Sequence, residues 1–337
     1  MKRLFVLLFL WLTSISAMAL DLDQDDLKSL PESGGGPVKV WVRFALIDIE
    51  QIDSAKQNFT VNYAYMVRWQ DDRLKHDAEH DVVVDLGDIW YPQIQITNQQ
   101  KLFKTLPEEA NVSPNGEVLM IQRVWGNLSQ PLDLRNFPFD KQHFYIKMMA
   151  AGDSHQSVVL VKDDRFPSGL AKKFSLPDWE ITGWDVELGQ GALFDDLPKR
   201  SVYIVDLQAQ RSSNYYVVKV MSPLVFIVMM SWIVFWVDAA KAGPQIGVAT
   251  TSMLTLIAYR FAIGKEMPQI SYITRMDGFV FASTVLVFVT LILAVTTAVL
   301  AQKEKAHIGK KIDRVCRWLV PMIFIYIAWH SLVYMRV

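Results

Sequence analysis

Four apolar segments, each long enough to cross a membrane, occupy the C-terminal part of this 337-residue chain. A bilayer's hydrocarbon layer of about 30 Å needs roughly 20 apolar residues in a helix. The segments fall at residues 216–237, 245–263, 279–301 and 318–334. Lipid offers no hydrogen bonds, so such segments must satisfy their own backbone groups, which helices do. We therefore predict a four-helix transmembrane domain over residues 213–337.

Residues 20–212 lack any apolar run of this length and alternate between apolar and polar residues over short stretches. This pattern, punctuated by turn sequences such as Pro114-Asn115-Gly116, predicts an antiparallel immunoglobulin-like β-sandwich. The predicted strands are Val38 to Ile49, Phe59 to Trp69, Val82 to Leu86, Val118 to Trp125, Phe144 to Met149, Ser157 to Val161, Trp179 to Glu187 and Val202 to Gln208. Four tryptophans are expected to anchor the core: Trp41, Trp69, Trp125 and Trp184.

The N-terminus and the charged loops predict the orientation. Residues 1–19 have Lys2 and Arg3, an apolar run and a small-residue end, as a secretory signal peptide does, although an uncleaved anchor helix is the alternative. Six basic residues crowd the loop before the fourth span: Lys303, Lys305, Lys310, Lys311, Arg314 and Arg317. Cationic loops stay in the cytoplasm, so the N-terminal domain is expected outside. Cys316, the only cysteine, allows no intrachain disulfide in that exported domain.

Composition argues against several functions. The net charge of −1 gives no basic surface for nucleic acid. Asp153-Ser154-His155 has the residue types of a hydrolase triad, but sequence neighbours rarely converge as nucleophile, base and orienter. The acidic and histidine run from His76 to Asp81 is more typical of a solvated loop than of a metal site. We expect no catalytic residues, no metal and no cofactor.

The second apolar segment has one unusual face. Gly247, Thr251, Leu254, Ala258 and Phe261 recur at intervals of four, three, four and three, which places them on one side of a helix. Five copies around an axis would line a pore with a hydroxyl ring below apolar rings. An ordinary buried helix, whose threonines bond their own carbonyls, fits these residues equally well.

Several motifs share their order with a known family. They are Trp69-x-Asp71-x-Arg73, Trp90-Tyr91-Pro92 with Asn98, the stretch from Gln130 to Phe144, Arg211 twelve residues before Pro223, Leu254 to Phe261, and Met267 to Thr274. Together with four spans they resemble the pentameric ligand-gated ion channels, the Cys-loop receptor superfamily. Where many members have the loop cysteines this chain has Gln130 and Phe144, and several bacterial members also lack that disulfide. The resemblance implies a homopentamer in a bacterial inner membrane, among lipids, with the N-terminal domain in the periplasm.

The resemblance also implies how the two domains would be coupled. Phe137, Pro138 and Phe139 would form an apolar turn tip resting on the loop that contains Pro268. Asp140 and Arg211 would pair at the domain boundary, either for gating or only to stabilise the fold. The turn from Asp53 to Asn58 would meet the same loop. Leu254 would be the hydrophobic gate of the pore.

The stimulus is less well indicated. Positions that form an aromatic cage in amine-gated members fall on Ala64, Thr97 and Ala151, which leaves Phe194 and Tyr203 as ligand-binding candidates. Gating by external pH is favoured, by analogy with proton-sensitive members and because the predicted external domain is rich in carboxylates and histidines. Monovalent cations are the expected permeant ions. The alternatives are a small-molecule agonist on the same channel, or a membrane-anchored periplasmic sensor or enzyme.

Overall fold

The structure is a computed structural model that describes residues 24–238, 242–264, 267, 270–303 and 305–334. The first described segment, α1 (Gln24–Leu27), precedes a run of strands. The strands are β1 (Val38–Asp53), β2 (Asn58–Gln70), β3 (Val82–Asp85), β4 (Ile94–Ile96), β5 (Gln99–Lys104), β6 (Glu109–Val112), β7 (Glu117–Ser129), β8 (Lys141–Ala150), β9 (Val158–Lys162), β10 (Gly169–Leu170), β11 (Trp179–Gly191) and β12 (Arg200–Arg211). The predicted signal peptide, residues 1–19, lies outside the described residues.

The strands form two sheets that pack face to face. Eight strands make the first sheet, with the order β10-β1-β2-β7-β6-β3 and with β5 and β9 attached to β7 and β1. The second sheet has the order β11-β12-β8-β4. The longest pairing without a register shift joins β2 to β7, from Asn58 opposite Ser129 to Gln70 opposite Glu117. Because alternate residues of these strands are buried, the pattern of the sequence matches the sandwich that it predicts.

Aromatic rings join the two sheets. Phe59 on β2 meets Phe144 on β8 edge to face, with ring centroids 5.1 Å apart, and Phe144 meets Trp179 of β11 at 5.5 Å. Trp69 is fully buried, as the sequence predicts. Such edge-to-face pairs add to the free energy gained by burial alone. The core of the sandwich is therefore centred on aromatic side chains from both sheets.

Three of the four tryptophans that we expected in the core lie elsewhere. Trp125 is 39% exposed and Trp184 is 36% exposed, and Trp41 is half-buried beneath the guanidinium of Arg68. Trp125 alternates with the buried residue Val124, so the period of two along β7 turns it outward. For Trp41 and Trp125 the prediction was wrong because it weighed residue type and did not follow the alternation of the strand. Trp184 lies opposite the buried residue Leu207, but on β11, which is the edge strand of its sheet.

Most strands extend beyond the predicted stretches, and four short ones, β4, β5, β6 and the two-residue β10, were not predicted. β4, β5 and β6 have three, six and four residues and are rich in glutamine, lysine and glutamate. Such residues are depleted in strands, so composition gave no strand signal. Pairing to β7 and β8 compensates, because it supplies hydrogen bonds that an isolated segment lacks.

The helices follow β12. A π-helical turn (Tyr216–Met221), α2 (Ser222–Ile233) and a 3₁₀ turn (Val234–Trp236) form the first span. The remaining helices are α3 (Ala242–Ile263), α4 (Arg275–Gln302) and α5 (Ala306–Trp329), with a last π-helical turn at His330–Tyr334. All four spans are long and apolar enough to cross a membrane. Thr274 caps α4 by exchanging hydrogen bonds with Asp277, which fixes its beginning four residues before the predicted one.

Helix α5 begins at Ala306 rather than at residue 318. Its first turns are amphipathic: Gly309, Asp313 and Cys316 are buried, whereas Lys310 and Arg314 are exposed. That spacing of three and four residues indicates a helix, but the charged residues exclude the segment from any apolar run. The predicted start of this helix at residue 318 is therefore too late, because only the apolar part of the helix was recognisable as a span.

Gly126 supports the pairing of three strands, which allows a test of the fold. Its φ is +145°, and an added Cβ would lie 2.1 Å from the carbonyl oxygen of Lys101 on β5. We expect Gly126→Ala to lower the free energy of unfolding by about 2–3 kcal/mol, because it combines strain with a steric overlap. The apparent melting temperature of the purified protein measures this. Gly189→Ala on β11, where no atom lies within 4 Å of the added Cβ, is the matched control. Equal melting temperatures for both variants would contradict the expectation.

Candidate functional site: the domain junction and the third helix

A buried ion pair closes the sandwich at the end next to the helices. The Arg211 side chain donates from Nε to Asp140 Oδ1 at 2.7 Å and from Nη2 to Asp140 Oδ2 at 3.1 Å. The Arg211 backbone N–H also donates to the Asp140 carbonyl at 3.1 Å. Gln142 Nε2 donates to the same carboxylate at 2.9 Å. Both charged side chains are almost fully buried, so each depends on the other for its compensation.

Aromatic rings and a serine surround the guanidinium of Arg211. Its central carbon lies 4.1 Å from the ring centroid of Trp179 and 4.9 Å from that of Phe137. Its Nη2 also donates to Ser54 Oγ in the turn between β1 and β2, at 2.9 Å. The faces of aromatic rings attract cations, and more strongly where water is excluded. The Arg211 side chain on β12 thus contacts β11, the β1–β2 turn and the turn before β8.

The turn before β8 rests on the beginning of α4. The backbone N–H groups of Arg275 and Met276 donate to the carbonyls of Arg135 at 3.0 Å and Phe137 at 3.3 Å. Tyr272 Oη accepts from the Leu134 N–H at 2.9 Å. Hydrogen bonds from a helix N-terminus to loop carbonyls satisfy groups that the helix itself leaves without partners. The sandwich and the helices therefore meet through directed polar contacts.

The apolar residues of this turn take different positions. Phe137 is buried and meets the ring of Tyr216 edge to face, with centroids 4.7 Å apart. Pro138 is buried and Phe139 is half-buried. The predicted partner Pro268 lies outside the described residues, and the contacts observed for the turn are with residues 272–276 and with Tyr216. Sequence reasoning missed Tyr272 as a hydrogen-bonding partner, although it lies in the quoted stretch from Met267 to Thr274.

The β1–β2 turn meets the same region. Gln57 accepts at its backbone carbonyl from the Gln130 N–H at 2.9 Å and at its side-chain Oε1 from the Leu132 N–H at 2.6 Å. The predicted contact of Asp53 to Asn58 with the loop around Pro268 stays a prediction. Within the described residues, the turn is joined to that loop only indirectly, through Leu132, whose carbonyl accepts from Tyr272 Oη at 3.2 Å.

Helix α3 exposes the face that the spacing singled out. The five residues of this face are exposed on the single chain: Gly247, Thr251, Leu254, Ala258 and Phe261. Leu254 is 66% exposed and Phe261 is 79% exposed. The opposite face, with Gln245, Ser252 and Leu256, is buried against the other helices. Thr250, Ser252 and Thr255 donate to carbonyls one turn earlier, as the alternative reading of this helix expected, yet the face that bears Thr251 is not covered.

The two ligand-binding candidates have different environments. Phe194 is 69% exposed in the loop between β11 and β12. Tyr203 is fully buried on β12; its hydroxyl lies 2.8 Å from Ser168 Oγ, and burial raises its pKa. The alternation of β12 turns Tyr203 into the core, whereas Phe194 lies at the surface, and their role in ligand binding stays a prediction. No group of three or more described His, Cys, Asp or Glu residues is arranged to hold a metal ion.

Comparisons with known proteins agree with this architecture. A family model for the neurotransmitter-gated ion-channel ligand binding domain matches residues 20–200, and one for the neurotransmitter-gated ion-channel transmembrane region matches residues 220–307. The chain belongs to the neurotransmitter-gated ion-channel family. It is therefore related to pentameric ligand-gated channels, which are not enzymes. The resemblance inferred from the motifs is confirmed.

Three relatives show how far the similarity extends. A proton-gated ion channel of Gloeobacter violaceus is 26% identical over 313 residues, covering 90% of this chain and 84% of that protein. The human gamma-aminobutyric acid receptor subunit rho-3 is 23% identical over 308 residues, 88% of this chain and 66% of that protein. The gamma-aminobutyric acid receptor subunit beta of Lymnaea stagnalis is 24% identical over 293 residues, 79% and 57% of the two chains.

The buried pair at the junction gives a testable energetic expectation. In Asp140→Asn the Arg211 charge stays buried without its counter-ion, so we expect a loss of about 3–5 kcal/mol in stability. Adding Arg211→Gln should restore part of it, since two residues in contact are not additive. Apparent melting temperature and oligomer size in detergent measure both variants.

A matched control uses the same chemical change in an exposed pair. Asp72→Asn removes the carboxylate 3.1 Å from Lys75 Nζ, and both side chains there are more than half exposed. We expect little change in stability, because exposed ion pairs contribute at most about 1 kcal/mol. Similar losses in Asp140→Asn and Asp72→Asn would show that burial of the junction pair does not matter. A junction variant that assembles and conducts normally would limit this pair to fold stability.

Proposed function

We propose that five copies of this chain form a channel for monovalent cations, controlled by external pH, in a bacterial inner membrane with the sandwich in the periplasm. The observation that carries the channel is the one-sided burial of α3. Its buried face packs against α2 and α4, and its exposed face bears Thr251 below Leu254 and Phe261. A face with hydroxyls gains nothing from lipid, whereas around a common axis it meets water and ions.

Thiol labelling tests the pore. In a Cys316→Ala background, we expect a membrane-impermeant cationic thiol reagent to block most of the current through Thr251→Cys while the channel is open. Ser252→Cys is the matched control, because its neighbouring position is fully buried on the opposite face and should give no block. Block of both variants, or of Ser252→Cys alone, would exclude this face as the pore lining.

The position of charges favours cations. A positive charge on the pore-lining face would disfavour cations. Arg260 on α3 is one residue from Phe261 and so about 100° away around the helix. Its charge therefore does not lie on the pore-lining face. Asp238 precedes α3 and places a carboxylate near the beginning of that helix. The basic residues of the loop before the fourth span predict that this end of the helix is cytoplasmic. Lys241, Lys265 and Glu266, which also flank this helix, lie outside the described residues.

A histidine–carboxylate pair supports control by pH. His143 Nδ1 lies 2.9 Å from Asp206 Oδ2, joining β8 to β12 on the outer face of the second sheet. Tyr145 stacks on the His143 ring, and Asp185 is opposite Asp206 in the register of β11. Histidine changes charge within the physiological pH range. β8 begins one residue after Asp140 and β12 ends at Arg211, so a change in this pair acts close to the coupling turn. The name of the Gloeobacter relative, a proton-gated ion channel, points to the same stimulus.

Voltage-clamp recording with steps of external pH tests stimulus and selectivity together. We expect a current controlled by pH whose reversal potential shifts in the negative direction when external NaCl is diluted. In His143→Gln the pH of half-activation should move, because the variant removes the histidine–carboxylate pair that joins β8 to β12. His80→Gln, in an exposed loop, is the control. A positive reversal shift would mean anions, and identical pH responses would remove His143 as a sensor.

A small-molecule agonist is the second candidate. Leu193, Phe194 and Leu197 in the β11–β12 loop are apolar and exposed on the single chain, as at surfaces that bind ligands. Ala64, Thr97 and Ala151 offer no aromatic cage, so a quaternary amine is a poor fit. This candidate is favoured if the channel is silent at every pH but opens with a ligand and loses that response in Phe194→Ala.

A further inference from the structure

A second buried polar cluster lies at the other end of the helices, away from the sandwich. Gln245 on α3, Thr297 on α4 and Asp313 on α5 are all buried. Gln245 Nε2 donates to Thr297 Oγ1 at 3.3 Å, and both side chains are hydrogen-bonding neighbours of the Asp313 carboxyl group. Gly309 packs on the Thr297 backbone, where an added Cβ would lie 3.2 Å from its carbonyl oxygen. Three helices therefore meet closely around one carboxyl group.

This cluster has more acceptors than donors. Gln245 Oε1 and Asp313 Oδ1 are buried and receive no hydrogen bond within the described part of the chain. The Thr297 hydroxyl donates its proton to the Ala294 carbonyl at 3.1 Å. A buried polar atom without a partner costs free energy, and a buried charge costs more. A proton on the carboxyl group would remove the charge and supply one further donor.

The charged groups around Asp313 do not remove its need for a proton. Arg317, one turn further along α5, donates from Nε to the Phe235 carbonyl at 2.8 Å and lies over the ring of Trp236 at 4.9 Å. It attracts a negative charge on Asp313, whereas Asp238 at the end of the first span repels one. In the part of the chain that the structure describes, Cys316 on the same helix is a further titratable neighbour. The Arg317 guanidinium is thus engaged by the Phe235 carbonyl and the Trp236 ring.

We propose that the Asp313 carboxyl group binds a proton in equilibrium with the cytoplasm. In its protonated form Asp313 holds α5 against the pore helix α3. Loss of the proton places a full negative charge beside Gln245, two residues before Gly247 on the exposed face. The link between the peripheral helix and the inner end of the pore thus depends on proton concentration. This site rests on the proposed channel and orientation and adds a second, internal pH input.

Infrared difference spectroscopy on the full chain in lipid vesicles tests the proton without any current. At neutral pH, the wild-type spectrum minus that of Asp313→Asn should show the C=O band of a neutral carboxylic acid. The same subtraction with Asp164→Asn, an exposed residue of the sandwich, should lack that band. A carboxylate band at Asp313 in its place would overturn the proposal.

A second variant covers a failure of Asp313→Asn to fold. Thr297→Val keeps the carboxyl group and removes one of its hydrogen-bonding neighbours. The neutral C=O band should then move in frequency relative to the wild type, and an unmoved band would mean that no protonated carboxyl lies in this cluster.

Inside-out patches test the consequence. Raising the pH on the cytoplasmic side should change the open fraction of the wild type and leave that of Asp313→Asn constant. Equal responses of the two would overturn the role in gating. A chain that conducts under no condition refutes the proposed channel, while the infrared band still decides the protonation of Asp313.

Discussion

The structure depends on one buried charge, that of Arg211 at the end of the last strand. Its counter-ion Asp140, the ring of Trp179 and the hydroxyl of Ser54 come from three other parts of the sandwich. Separating Asp140 from Arg211 would leave a buried arginine without its counter-ion, which is far more costly than losing an exposed pair. The end of the sandwich is thereby held as one body at the point where the chain enters the first membrane helix.

Hydrogen bonds join the sandwich to the helices, whereas a buried ion pair holds the end of the sandwich itself together. The turn before β8 touches α4 through backbone hydrogen bonds at Arg275 and Met276 and through the hydroxyl of Tyr272. A hydrogen bond contributes a net stability of only about 0.5–1.5 kcal/mol. A few such bonds position the turn, yet a shift of the sandwich can exchange them at a small cost. A rigid end resting on exchangeable contacts suits a protein that has two arrangements of its domains.

Sequence reasoning succeeded where one physical pattern acts alone. Alternation gave the long strands, and apolar length gave the four spans, because burial and lipid impose those patterns directly. It failed where two effects compete. The charged first turns of α5 hid a helix, and the large ring of Trp125 suggested a core position that the period of two forbids. The partners of Arg211 come from distant parts of the chain, so only the folded structure shows that Ser54 and Trp179 are among them.

The two positions where many relatives have cysteines show how this chain holds the same turn without a covalent bond. Phe144 fills the core between Phe59 and Trp179, and Gln130 accepts from the Tyr145 N–H at 3.3 Å. A disulfide that closes a loop of about 15 residues contributes about 3 kcal/mol, mainly by restricting the unfolded chain. Full burial of a phenylalanine contributes a similar amount, about 1.5–3 kcal/mol, but does so in the folded state. The turn before β8 therefore keeps its structure only while the aromatic core is packed. The structure of the junction thus depends on the packing of the whole sandwich.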